Sequence, residues 1–177
     1  AIKKHKERVI KVGCFGATRP LKNHLLQAMA AIRLADELRY HLEFHINAGR
    51  VEMKGQSVLR NLESLFKHSG HKLVKHEWLD HPDFLALVST MDLCLQVSFS
   101  ETFNIVAADS VVSGVPTVVS REIPWAKVGF ADTTDMDSMT KALKHAWRFR
   151  RTNVWMNQLG LALYVAKARK IWLTSRV

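Results

Sequence analysis

The sequence predicts an α/β fold, a parallel sheet with helices on both faces. Three observations lead there. Short apolar runs alternate with longer stretches of helical apolar spacing, the pattern of βα units with parallel strands. The chain has 177 residues, 47% of them apolar, which suits one domain with a full core. Two of the runs end in turns, 16–23 and 98–104, and ligands in open α/β sheets bind beyond the carboxyl ends of strands.

The elements follow in order. Val9 to Phe15 reads as the first strand, 16–23 as a turn, and His24 to Leu38 as a strongly periodic helix. His41 to Asn47 is the second strand, ending at Ala48-Gly49-Arg50. Ser57 to His68 is a helix stopped near Gly70, and Lys72 to His76 is a short third strand. Pro82 to Met91 is a helix started by Asp80 or His81. Leu93-Cys-Leu-Gln-Val97 is a short apolar run of the kind buried within a parallel sheet. Phe103 to Val112 places Phe103, Val106, Ala107, Ser110 and Val111 on one helical face. Gly114 ends that helix and Pro116 cannot continue it. Thr117 to Ser120 is the next strand, and Asp135 to Arg151 and Asn153 to Arg176 are two final helices.

Chemistry concentrates in Ser98-Phe-Ser-Glu-Thr-Phe-Asn-Ile-Val-Ala-Ala-Asp109. Glu101 falls on the strand-to-helix turn, and Asp109 lies about two turns into the helix at ~1.5 Å rise per residue. With the helix beginning at Phe103, the amides of Thr102, Phe103 and Asn104 point out of its start, where unpaired donors and the helix dipole bind phosphate. Carboxylates accept hydroxyl hydrogen bonds well, so two of them flanking a phosphate site suit a nucleotide sugar.

The segment resembles the Glu-x7-Glu stretch of retaining glycosyltransferases with the GT-B fold, where it grips the nucleotide-sugar donor. The turn Gly16-Ala-Thr-Arg-Pro-Leu-Lys-Asn23 is similar to the Gly-Arg turn of the same enzymes, in which an Arg and a following Lys hold the leaving diphosphate. The resemblance covers about residues 9–137. It implies that the chain, 1–177, is a single Rossmann-like lobe of a GT-B enzyme that binds an NDP-hexose. The final helices, about 135–177, would pack on this lobe or towards a missing N-terminal, acceptor-binding lobe. Lys22, with Arg19, would neutralise the diphosphate, and Glu101 would hold hydroxyls of the donor sugar. Gly16 and the amides of Thr102, Phe103 and Asn104 would cradle the phosphates, and Asp109 would hold the ribose. His76 or Trp78 would contact the base. The resemblance further implies a metal-independent reaction without a cofactor and a UDP- or GDP-linked donor. The chain departs from the pattern at Ala17, in the Arg position, at Thr102 and Asn104, in Gly positions, and at Asp109, one methylene shorter than Glu.

Cys14 and Cys94 fall near the ends of neighbouring core strands and read as buried thiols of a reducing compartment rather than a disulfide. Nine histidines form no metal signature. The start, Ala-Ile-Lys-Lys-His-Lys-Glu-Arg, is no signal peptide and lacks an initiator Met. We expect a cytoplasmic fragment or processed chain with little transfer activity alone. The formal charge is +10, with +3 in residues 1–8 and +9 in residues 138–177, which leaves the middle at −2. The last helix carries Val154, Leu161, Val165, Ala168 and Trp172 on one face, with Lys167, Arg169 and Lys170 around the rest. That face reads as packing on this lobe or its partner. A peripheral contact with an anionic membrane is the other reading. A basic nucleic-acid module is the rival from another class, but no stacking platform, zinc or helix-turn-helix motif accompanies the charge, so no nucleic-acid partner is expected. A sugar-nucleotide binder without chemistry and a sugar-nucleotide epimerase complete the alternatives.

Overall fold

The computed structural model describes residues 8–174. The basic segment preceding Arg8 lies outside the described residues, so the charge reading for the amino terminus is outside them too.

Five parallel strands form one sheet in the order β3-β2-β1-β4-β5. They are β1 Val9–Gly13, β2 His41–Asn47, β3 Lys72–His76, β4 Leu93–Gln96 and β5 Thr117–Val119. Helices α1 His24–Leu38, α2 Gln56–Ser69 and α5 Met136–Arg148 cover one face. Helices α3 His81–Ser89, α4 Ile105–Val112 and α6 Arg150–Thr174 cover the other, with α6 running along α4. Alternation along each strand divides the core. Ile10 and Val12 of β1, Leu42, Phe44 and Ile46 of β2 and Leu93 and Leu95 of β4 meet Ala28, Leu34, Leu62 and Leu143 on the first face. Cys94 meets Phe15, Val88, Met91 and Val115 on the second. Burial pushes the thiols of Cys14 and Cys94 up to about 12, and both are free.

The strand order reverses between β1 and β4, so the turns after these two strands face each other across the switch point. All the expected elements are present, with two corrections. Helix α4 starts at Ile105, two residues after the predicted Phe103, because Asn104 takes a left-handed backbone (φ 55°) and caps the helix with its side chain. Helix α6 seats Asn153, Asn157 and Gly160 on the lobe, and of the predicted apolar face Leu161 packs against the core while Val165 and Trp172 do not. Asn153 bridges the backbone of Thr117 at 2.8 and 3.2 Å, and Asn157 accepts from the amides of Lys127 and Val128. A Cβ on Gly160 would lie 2.2 Å from the Trp125 carbonyl, so this close approach requires glycine. Val165 and Trp172 are 50% and 69% exposed.

Candidate functional site

A cleft of about 340 Å³ opens at the switch point. Its walls include Gly16 from the turn after β1, Trp78 and His81 before and at the start of α3, and Ile105, Val106 and Asp109 of α4. Gly16 has φ 109°, which a side chain would strain, and its amide donates to Asn47 Oδ1 at 2.9 Å. A Cβ there would sit 3.4 Å from Lys22 Cε and 4.0 Å from Val106 Cγ2, so Gly16 joins the cleft to Lys22.

Lys22 follows from local geometry. Pro20–Lys22 form a 3-10 turn, and Asn23, with φ 58°, ends it and starts α1. Asn23 donates to the carbonyls of Val97 and Thr133 and pins this turn to the end of β4. Lys22 thereby reaches Glu101, Nζ to Oε1 at 2.5 Å, with the two side chains only 10% and 7% exposed. Gln96 Oε1 accepts from the same Nζ at 3.4 Å. Two of the sequence candidates, 79 residues apart, are therefore one buried ion pair. Arg19 stands at the start of the 3-10 turn without a side-chain capping bond, and its Nε is buried without a partner.

On the α4 wall, Asp109 accepts from His81 Nε2 through Oδ1 at 3.1 Å when that nitrogen carries the proton. Its Oδ2 is buried with no partner. A desolvated carboxylate oxygen without a donor, on a residue that lines the cleft, has an unmet hydrogen bond. The opening amides of α4 are those of Ile105 and Val106, which have no intrahelical acceptor. The helix opens two residues beyond the start at which the sequence reading places the amides of Thr102, Phe103 and Asn104. Thr102 is exposed on the turn. The carbonyl of Phe103 accepts from Trp125 Nε1 at 2.6 Å, and its ring packs by Trp125 and Tyr164, away from the cleft lining. Asn104 is buried and turned inward, donating to Gln96 Oε1 at 3.1 Å, so its side chain stays out of the cleft lining.

Trp78 is 53% exposed on the cleft wall, and the Arg50 guanidinium lies 4.9 Å from its ring centre. Glu52 holds Arg50 in place at 2.5 Å. His76 does not line the cleft. Its ring stacks on His45, with Nε2 and His45 Nδ1 2.8 Å apart. Burial, then the neighbouring His76, lowers the His45 imidazole to about 4. Among the described residues no group of three His, Cys, Asp or Glu side chains is placed to hold a metal.

Three residues at or beside the cleft carry no functional signal in the sequence reading: Gln96 lies within an apolar run, His81 at a helix start and Asn47 at a strand end. A lone glutamine inside a buried strand was the one signal that could have flagged the first, since a buried amide needs partners.

The sheet order and the cleft at its switch point define a lobe of the doubly wound α/β class. Solved structures place that lobe more narrowly. The chain is similar to a UDP-forming α,α-trehalose-phosphate synthase from Burkholderia xenovorans, with a TM-score of 0.77 at 14% identity over 96% of this chain and 44% of that one. A Burkholderia xenovorans enzyme of the same kind in complex with glucose-6-phosphate gives 0.74 at 16% identity, covering 96% and 43%. An Escherichia coli trehalose-6-phosphate structure bound with UDP-2-fluoro glucose gives 0.76 at 13% identity, covering 95% and 44%. No family model matches the sequence, and a search of curated proteins finds no match. The likeness establishes the fold: a Rossmann-like lobe as found in GT-B enzymes. The chain spans less than half the length of these structures.

Proposed function

We propose that the chain is the nucleotide-sugar-binding lobe of a retaining GT-B glycosyltransferase that moves a hexose from an NDP-sugar to an acceptor held by a second lobe. The observation that carries this is the unpaired, buried Asp109 oxygen on the wall of a switch-point cleft bounded by Gly16, with the Lys22–Glu101 pair behind that glycine. The solved structures of this fold include a UDP-forming synthase and one bound with UDP-2-fluoro glucose, which favours uridine as the base here.

The chemistry follows from the placement. Breaking the bond between the anomeric carbon and the diphosphate oxygen puts negative charge on the leaving group. Lys22, joined by Arg19, neutralises that charge in a site with little water, where a preorganised cation contributes a few kcal/mol. The Ile105 and Val106 amides add donors at the helix start. Glu101, released from Lys22 by the diphosphate, accepts hydroxyls of the donor sugar. Asp109 accepts the ribose diol, and Trp78 offers the indole face not covered by Arg50 to the base. Side-chain cations meet the charge of the leaving group, so this is a metal-independent transfer. The acceptor, and with it turnover, belongs to the second lobe.

The test is a calorimetric titration of the chain with UDP, GDP and their glucose conjugates, repeated with Lys22→Ala. Saturable binding of one nucleotide, lost in the variant, is the expected result. Binding of none, or binding indifferent to Lys22, would overturn the reading.

A further inference from the structure

Gln96 is 1% exposed at the carboxyl end of β4, and both ends of its amide are engaged. Its Nε2 donates to the Phe15 carbonyl at 2.9 Å, in the turn that leads to Gly16. Its Oε1 accepts from Lys22 Nζ at 3.4 Å and from Asn104 Nδ2 at 3.1 Å. Asn104 in turn accepts from the Ala107 amide at 2.9 Å and so fixes the first turn of α4. One buried side chain thus touches the glycine turn, the lysine and the helix cap, the three parts to which the proposed function assigns the phosphates.

We infer that Gln96 is a positioning residue for the diphosphate: it aligns Lys22 with the opening amides of α4 while contacting no ligand itself. This rests on the donor-binding reading and deepens it. The physical argument is one of satisfaction. The Gln96 oxygen is the acceptor Lys22 has besides Glu101, so when Glu101 turns to a sugar the ammonium still has a buried partner that holds it at the end of β4. The same oxygen holds the Asn104 amide, whose own oxygen caps α4. The cation and the helix amides are therefore set by a single atom, and displacing it moves both away from a common anion. A residue in this position affects ligands that carry the diphosphate more than the nucleoside alone, because its bonds run to Phe15, Lys22 and Asn104 and not to Trp78 or to Asp109, which lies a turn further along α4.

The experiment compares wild type and Gln96→Met with UDP and GDP by calorimetry, and with uridine and guanosine by NMR titration. The bound nucleoside diphosphate is expected to lose about 10-fold or more in affinity, the scale of a lost hydrogen bond to a charged group, while its nucleoside stays within about 2-fold. The same substitution in a Lys22→Ala background should then cost far less, because the cation it positions is gone. Diphosphate affinity within about 2-fold of wild type would overturn the inference, and so would equal losses for nucleoside and diphosphate. If Gln96→Met does not fold, Gln96→Glu replaces it: a carboxylate of the same size clamps Lys22 more tightly and should produce the same selective loss, with unchanged affinity overturning the role. Failure of the wild type to bind either nucleotide would overturn the donor-site reading itself, and the inference with it.

Discussion

Glu101→Gln is expected to weaken folding and at the same time leave nucleoside diphosphate binding intact or tighter. The ion pair it breaks is nearly dry, at 10% and 7% side-chain exposure. Removing one partner of such a pair strands the other, at a typical cost of about 3–5 kcal/mol. Here Lys22 keeps a long contact to Gln96 at 3.4 Å, which places the cost near the lower bound, about 3 kcal/mol. Lys22→Met should cost a similar amount by stranding the carboxylate. The double variant removes both charges and should recover most of the loss, a coupling of about 2 kcal/mol or more. Urea denaturation followed by circular dichroism measures all four corners, provided the slope with denaturant is unchanged. Titration with UDP and UDP-glucose supplies the second readout. Held only by neutral acceptors, Lys22 can turn to the diphosphate without giving up an ion pair, so UDP should bind at least as well, while the advantage of the glucose conjugate falls. Additive single costs, with coupling below about 0.5 kcal/mol, would refute the buried-pair argument. A loss of UDP affinity in Glu101→Gln would refute the assignment of Glu101 to the sugar.

Three further outcomes follow. Asp109→Ala should weaken donor binding by about 1–3 kcal/mol, the range for a charged hydrogen bond, and unchanged affinity in calorimetry would remove Asp109 from the site. His24 is 1% exposed, neither ring nitrogen has a partner, and burial followed by the nearby Lys22 charge lowers its imidazole to about 4. The unfolded chain takes up that proton first, so stability is full above about pH 6.5 and falls towards pH 4 by up to about 3 kcal/mol from this residue. His24→Leu should flatten that part of the pH–stability curve, and an unaltered slope would count against it. With burial holding both thiols up at about 12, Cys14 and Cys94 should resist iodoacetamide in the native protein at pH 8 and react only on unfolding. Rapid native labelling would contradict their burial.

The fold was legible because parallel strands buried on both faces leave apolar runs and their helices leave periodic ones. Leu93 to Gln96 and Thr117 to Val119 are buried at every position, and both were recognised from composition. The start of α4 was read two residues early for a local reason. Asn104 takes a left-handed backbone, a conformation Asn tolerates better than most residues, and its cap excludes Thr102 and Phe103 from the helix. The site was legible as types and not as pairs. Lys22 and Glu101 could each be singled out, but their mutual contact spans 79 residues and depends on Asn23 tying two turns together. The role of Gln96 depends on three partners, two of them on the far side of the sequence, and pattern cannot supply that.

Helix α6 separates two readings of the basic carboxyl-terminal part. A helix that lies on a lipid surface has one apolar face and one charged face. At 100° per residue, Asn153, Asn157 and Gly160 define the side of α6 seated on the lobe. Trp155, Leu159 and Leu173 project from the opposite side, at 61%, 42% and 65% exposure, and Val165 and Trp172 from a third direction. Apolar residues on every side do not divide α6 into one apolar and one charged face, so the helix lacks the pattern of one lying on lipid. No helix among the described residues is long and apolar enough to cross a membrane. The excess of Lys and Arg should still attract anionic vesicles at low salt, and that attraction should vanish near physiological ionic strength, where charges are screened beyond about 8 Å. Vesicle association that survives salt and shifts tryptophan emission to the blue would mean that Trp155 or Trp172 enters the lipid, and the argument from the pattern of α6 would fail.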